Sequence, residues 1–117
     1  MLPVLDQFKP ELLLVSAGFD AHEADPLAQM RATESGLGWM TFMLRVLADQ
    51  ACDGRIVLVT EGGYALPALG ASLDVALRAL DERVGAVSAP TSMQAPTGRA
   101  ERTLAAVRSA HAERWSF

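Results

Sequence analysis

Two short, uninterrupted apolar segments limit most strongly what this chain can fold into. Residues 11–18 (ELLLVSAG) and residues 55–60 (RIVLVT) are apolar without alternation and end in small or polar residues. Such runs are typical of buried strands in a parallel sheet. Between them, residues 33–53 predict a helix with Thr33 as N-cap, because apolar side chains recur at helical spacing: Trp39, Met40, Met43, Leu44 and Leu47. The fold class predicted is therefore α/β with parallel strands.

The rest of the sequence predicts further helices but no further strands. Residues 1–8 predict a short helix that Lys9-Pro10 ends. Residues 66–84 predict a helix with a stripe of leucines expected to face the core: Leu66, Leu69, Leu73, Leu77 and Leu80. Only two strands are predicted, and both have the composition of central strands covered on two faces. The 117 residues therefore look like a piece of a larger sheet, or a unit that pairs with another chain.

Three segments are predicted along the chain. Residues 1–84 hold the alternating strands and helices. Residues 85–98 are rich in Ala, Pro, Ser and Thr, which predicts a linker. Residues 99–117 are expected to pack on the first segment through an amphipathic helix, which carries Leu104, Val107 and His111 on one side.

Charge and composition exclude several classes of function. The net charge is −4, from 10 basic and 14 acidic residues, which argues against a nucleic-acid partner. The basic residues after position 96 are interpreted as a solvated helix face rather than a binding arm. No apolar run approaches the ~20 residues that span a bilayer, and the first residues lack the pattern of a signal peptide. The single cysteine, Cys52, is expected to be a buried thiol, and its lack of a partner favours a cytoplasmic protein.

Two polar loops follow the predicted strands, at residues 16–27 (SAGFDAHEADPL) and 61–64 (EGGY). Because parallel strands end at the same edge of a sheet, both loops are expected to face one cleft. The first loop offers oxygen and nitrogen donors suited to a divalent metal, or is simply a solvated loop with a capped turn: Asp20, His22, Glu23 and Asp25. In the second loop, Gly62 and Gly63 allow positive φ and close backbone approach to a ligand, or form only a tight turn. Tyr64 either donates to a developing oxyanion or is a packing residue.

Both loops resemble motifs of the zinc-dependent histone deacetylase family, in its class II and bacterial branch. SAGFDAHEADPL, MRAT at residues 30–33 and VTEGGYAL at residues 59–66 stand in the order and spacing of that family. The resemblance extends from about residue 3 to residue 84, and more loosely to Trp115. It implies a three-layer arginase/deacetylase fold with an eight-stranded parallel sheet. This chain would supply its C-terminal third, with about two strands and three to four helices.

The resemblance also implies a reaction and its residues. The reaction is hydrolysis of an acetylated amine, such as acetyl-lysine or an acetylpolyamine. Asp20 matches a zinc ligand, and Tyr64 matches the tyrosine that hydrogen-bonds the substrate carbonyl and the oxyanion. Four residues match the substrate pocket: Phe19, Leu27, Gly62 and Gly63. His22 does not match a metal ligand, and Asp25 matches a structural position. Leu27 stands where the polyamine-selective branch has glutamate, which argues against a dedicated polyamine deacetylase.

Other parts of the family's active site are not found in this sequence. The remaining zinc ligands come from an Asp-x-His segment and the general base from a His-His pair, whereas His22 and His111 are isolated. Two interpretations stay open: the C-terminal fragment of a zinc deacetylase, or a non-catalytic fragment that acts as an interaction module. In either case we expect no activity from the chain alone. Expected partners are the acetylated amine, and a second copy or an upstream segment that completes the sheet.

Overall fold

The computed structural model describes residues 2–81 and 97–117, and the elements follow the predicted order. The elements are α1 (Leu2–Phe8), β1 (Leu13–Ala17), α2 (Glu34–Cys52), β2 (Ile56–Thr60), α3 (Leu66–Leu80) and α4 (Gly98–His111). Most of the predicted linker, and the last residues of the helix predicted over 66–84, lie outside the described residues.

The two strands form a parallel pair, with α2 as the connection between them. Leu13 is paired with Ile56, and the register continues to Ala17 opposite Thr60. A helical crossover of this kind is what parallel neighbours require. Both strands therefore end at the same edge of the sheet, and the two polar loops leave from that edge.

Helix α2 has a defined beginning and end. Thr33 has extended backbone angles, and its Oγ1 accepts a hydrogen bond of 3.2 Å from Gly36 N, so the predicted N-cap is confirmed. The helix stops where Asp53 takes the left-handed conformation at φ 52° and ψ 41°. Gly54 follows with φ 73°, and the chain then turns directly into β2.

Among the described residues, the core consists of two small clusters on the α2 side of the sheet. One contains Leu13, Leu47, Ala48 and Cys52, and the other contains Phe19, Leu37 and Ala76. Cys52 is 2% exposed and its Sγ lies 3.3 Å from Arg55 O, so the expected buried thiol is confirmed. Not all of the residues predicted on the apolar face of α2 are buried, since Met40 is 52% exposed.

Helix α3 packs on α2 through small side chains, not through its leucines. The buried residues of α3 are Ala68, Ser72, Ala76 and Ala79. Leu66 and Leu77 are exposed, so the predicted leucine stripe is wrong as a description of the buried face. The reason is the close approach of the helices: a Cβ placed on Gly38 of α2 would lie only 3.2 Å from Val75 Cβ. Leu69 and Leu73 remain half-buried beside the Phe19 cluster.

One face of the two-stranded sheet is left uncovered by the described residues. Leu14, Val57 and Val59 point away from α2 and are 66%, 47% and 48% exposed. We call these three residues the open sheet face. The prediction that both strands are covered on two faces is therefore not met within the described residues.

The C-terminal helix makes little contact with this core. None of the residues of α4 is buried, and Leu104 and Val107 are about half exposed. The chain end does reach α1, because Ser116 N donates to Gln7 Oε1 at 2.9 Å and Gln7 Nε2 donates to Ser116 O at 2.7 Å. The predicted packing of residues 99–117 on the first segment stays a prediction. No helix among the described residues is long and apolar enough to cross a membrane.

Candidate active site

Main-chain hydrogen bonds hold the two polar loops together at the end of the sheet. Glu61 N donates to Ala17 O at 3.1 Å, which extends the strand pairing by one step. Phe19 N then donates to Gly62 O at 2.8 Å. The Ser16 hydroxyl donates to the Glu61 carboxylate beside these bonds. The loops therefore share one edge, as predicted, and the backbones next to Asp20 and Tyr64 have a fixed relation.

The carboxylate of Asp20 lies between two glycines. A Cβ on Gly62 would be 2.7 Å from Asp20 Cγ and 2.9 Å from each carboxylate oxygen, and a Cβ on Gly18 would be 2.8 Å from Oδ1. Only glycine at these positions leaves room for the carboxylate. Within the described residues, no hydrogen bond or ion pair uses the oxygens of Asp20, so they are available to a ligand.

Gly63 directs the chain from this carboxylate to the tyrosine. Its φ of +141° is a conformation that L side chains rarely adopt, so the positive φ allowed for by the sequence occurs at Gly63 but not at Gly62. A Cβ there would also lie 2.9 Å from Leu69 Cδ1 and 3.3 Å from Phe19 Cβ. The turn therefore presses against the core while Tyr64 points outward, with 59% of its surface exposed.

Asp25 bridges the two loops through its side chain. It is only 7% exposed; Oδ1 accepts from Leu27 N at 2.9 Å and Oδ2 accepts from Tyr64 N at 2.7 Å. Burial acts to raise the pKa of this carboxyl, but hydrogen bonds from the backbone amides of Leu27 and Tyr64, with those of Ala65 and Ala28, outweigh it and lower the pKa below 3.8. Asp25 is therefore an anion at neutral pH, and both of its oxygens accept hydrogen bonds from backbone amides.

His22 is a structural residue of the first loop. It is 4% exposed, its Nδ1 accepts from Ala24 N at 3.0 Å, and its Nε2 lies 3.2 Å from Glu34 Oε1. The pKa of Glu34 is lowered, mainly by a hydrogen bond from its own backbone amide; burial opposes this lowering, and the neighbouring His22 adds to it. Among the described residues no three His, Cys, Asp or Glu side chains form a possible metal site, so the four-donor metal loop suggested by spacing is wrong.

The remaining predicted pocket residues differ in exposure. Phe19 is 5% exposed and belongs to the core beneath the loops, whereas Leu27 is 65% exposed at the turn that Asp25 caps. Both pocket assignments stay predictions. Separately, an apolar groove of about 370 Å³ runs along α2 and the edge of β1, and its lining contains neither Asp20 nor Tyr64.

Sequence reasoning missed two contributors to this site. The sequence places Gly18 at the end of a strand but does not reveal that it makes room for Asp20. For Asp25, the Asp-Pro-Leu sequence predicts a local turn, with the bond to Leu27 N. Its bond to Tyr64 N joins residues far apart in the chain. No local pattern could have revealed it.

Residues 1–80 match the model of the histone deacetylase domain family. Polyamine deacetylase HDAC10 of Homo sapiens is 39% identical over 116 residues, which cover 98% of this chain and 16% of that protein. The histone deacetylase-like amidohydrolase of Pseudomonas aeruginosa is 45% identical over 65 residues, which cover 56% of this chain and 17% of that protein.

Solved structures give the same result. The HDA15 HD domain matches with a TM-score of 0.79 and 32% identity, over 97% of this chain and 30% of that chain. The histone deacetylase Clr3 matches with a TM-score of 0.83 and 27% identity, over 97% of this chain and 18% of that chain. The 117 residues thus span less than a third of each protein compared here.

Proposed function

Because the chain belongs to the histone deacetylase family, we propose that it supplies part of a zinc-dependent deacetylase active site, namely one metal ligand and the oxyanion donor. The proposed reaction is hydrolysis of an acetylated amine. The observation that carries the proposal is the joining of the Asp20 and Tyr64 loops at one sheet edge, through the 2.8 Å bond from Phe19 N to Gly62 O. The predicted fold class is confirmed, since the chain has part of the arginase/deacetylase fold of its structural relatives.

Asp20 fits a zinc ligand, since its oxygens have no partner among the described residues and glycines surround its carboxylate. Catalytic zinc sites normally use three protein ligands and keep one position open. The other ligands would therefore come from polypeptide outside these 117 residues. When bound, zinc polarises a substrate carbonyl and lowers the pKa of its water to about 7.

Tyr64 is proposed as the oxyanion donor. Its exposed hydroxyl would donate a hydrogen bond to the substrate carbonyl oxygen as negative charge develops there. A general base for the attacking water is still required. His22 cannot supply it, because both of its nitrogens face structural partners, Ala24 N and the Glu34 carboxylate.

The side chain at position 27 bears on the substrate. The exposed Leu27 carries no charge that would attract the cationic nitrogens of a polyamine. We therefore favour an acetyl-lysine type of substrate, although the human relative that aligns with most of the chain is by name a polyamine deacetylase.

A non-catalytic interaction module is the second candidate. It is favoured by the open sheet face, an exposed apolar surface that a partner protein could cover. If the chain is part of a deacetylase, we propose that the rest of the deacetylase domain covers the open sheet face. The isolated chain is expected to self-associate through the same face. The proposal also includes a cytoplasmic location and the expectation that the chain does not bind nucleic acid.

A graft tests the proposal. The segment of this chain that matches the Pseudomonas aeruginosa amidohydrolase replaces the corresponding segment of that protein. We expect zinc-dependent release of acetate from an acetyl-lysine peptide by the graft, and none by the 117-residue chain alone. A folded but inactive graft would favour the non-catalytic module.

Two substitutions in the graft separate the proposed roles. Asp20→Asn should lose most of the zinc, because a neutral amide replaces an anionic ligand. Tyr64→Phe should keep the zinc and lower kcat by roughly 10²–10³, with KM little changed, as for other single oxyanion donors. Full zinc in Asp20→Asn, or full kcat in Tyr64→Phe, would overturn the corresponding role. Asp53→Asn, at an exposed helix end, is the matched control.

A further inference from the structure

We propose that Asp25 is a positioning residue for the oxyanion donor: its buried carboxylate fixes the main chain of Tyr64 and thereby the direction of the Tyr64 hydroxyl. This inference rests on the proposed function of Tyr64. It concerns a residue that the proposed mechanism does not use and that does not touch the reacting atoms.

The first argument is the geometry of the carboxylate. Each oxygen has its own amide donor, Leu27 N at 2.9 Å and Tyr64 N at 2.7 Å. Hydrogen bonds from amides to an ionised carboxylate are shorter and stronger than neutral ones. Leu27 lies on the first loop and Tyr64 on the second, so a single side chain connects the two loops that form the site.

The second argument is that the Tyr64 side chain cannot be held by packing. Its surface is 59% exposed, and the preceding residue is a glycine at φ +141°, which has no side chain that could restrict the tyrosine. A tyrosine in such a place has a wide range of directions unless its backbone is fixed. The 2.7 Å bond to Asp25 restricts the backbone directly at the tyrosine.

The third argument is burial. Asp25 is 7% exposed, and leaving its charge without donors in such a place would be costly. The carboxylate therefore stays with its amides, and the bond to Tyr64 N is part of the fold rather than an occasional contact. Displacement of a catalytic group by about 1 Å can cost roughly 10² in rate, so a bond at this position matters for turnover.

Asp25→Asn is the informative change, since it keeps the shape of the side chain. The asparagine has one acceptor oxygen and a donating NH₂ group, so one of the two amides must face a donor instead of an acceptor. In the active graft we expect kcat to fall by roughly 10–100-fold, with KM and zinc content near those of the parent. Asp53→Asn again serves as the exposed control.

A double substitution distinguishes positioning from general loss of structure. If Asp25 acts through the Tyr64 hydroxyl, Asp25→Asn should lower kcat little further in a Tyr64→Phe background. Two independent effects would instead add. Additive losses, or an unchanged kcat in Asp25→Asn while Tyr64→Phe is impaired, would overturn the inference and leave the proposed function intact.

A measurement on the unmodified 117-residue chain covers the cases in which the graft is inactive or Asp25→Asn does not fold. Amide hydrogen exchange followed by NMR should show Tyr64 N–H exchanging at least roughly tenfold more slowly than its intrinsic rate, despite its exposed side chain. An unprotected Tyr64 amide would overturn the inference. An inactive graft with a protected Tyr64 amide would count against the proposed function alone.

Discussion

Replacing Gly62 with alanine should displace the carboxylate of Asp20 and weaken zinc binding by the graft. The new Cβ would lie 2.7 Å from Asp20 Cγ, whereas carbon atoms in ordinary contact are about 3.5–4.0 Å apart. Either the carboxylate or the turn must therefore move by roughly 1 Å. Metal–ligand distances tolerate only about 0.2 Å, so the displacement is several times what coordination allows.

The assay compares zinc affinity and thermal stability in the graft. We expect zinc affinity to fall by at least roughly 10–100-fold, which is the loss seen when groups that merely orient a ligand are changed. Overpacking should also cost about 1–3 kcal/mol of folding free energy. Gly70→Ala is the matched control, because a Cβ there meets nothing within 4 Å. In the middle of a helix this change should stabilise by about 0.5–1 kcal/mol and leave zinc affinity unchanged.

Native zinc affinity in Gly62→Ala would refute the reasoning, since the side chain could then be accommodated without moving Asp20. A fall in stability with zinc affinity retained would refute it equally. Such a result would mean that the turn moves instead of the carboxylate, and that glycine at position 62 is not needed to keep Asp20 in place.

Three further predictions concern the fold. Val57→Lys, on the open sheet face, should lower self-association of the isolated chain in sedimentation velocity, whereas Leu66→Lys on α3 should not; equal effects would contradict the proposed interface. Because the pKa of Asp25 is lowered in the folded chain, its contribution to stability should be complete above pH 3.8 and lost as the pH falls from 3.8 through the folded pKa. In urea unfolding, Asp25→Asn should therefore lose less free energy of unfolding than the parent chain between about pH 5 and about pH 3. An equal loss in both proteins would mean that the acid sensitivity does not come from Asp25. Thr33→Ala should cost about 1 kcal/mol in urea unfolding, with Thr33→Ser near wild type, and an unchanged Thr33→Ala would mean that the cap contributes nothing.

Local patterns predicted the elements that depend on local chemistry. The apolar runs at residues 11–18 and 55–60 became β1 and β2, and Thr33 caps α2 through its own side chain. The two loops were placed at one edge because parallel strands leave no other arrangement. Each of these outcomes follows from nearby residues or from topology.

Contacts between distant residues could not be predicted in this way. The leucines of α3 have the right spacing for a buried stripe, yet the alanines and Ser72 are buried because Gly38 lets α2 come close. The sequence marks His22 as a possible ligand, whereas its burial against Glu34 makes it structural. The roles of Gly18 and Asp25 likewise depend on the positions of residues 62 and 64, which are distant in the sequence but adjacent in the fold.

The parallel pairing of β1 and β2 also has a kinetic consequence. Leu13 pairs with Ile56, and the whole of α2 lies between these two residues in the sequence. Bringing them together closes a loop of about 40 residues, which costs roughly 3 kcal/mol of chain entropy. Helix α2 can form early from local interactions, so strand pairing must wait for it to dock. The hydrogen bonds at the strand ends, from Glu61 to Ala17 and from Phe19 to Gly62, require that pairing first. The sheet edge that carries the two polar loops should therefore be the last part of the chain to become ordered during folding, and the first to open when the protein begins to unfold.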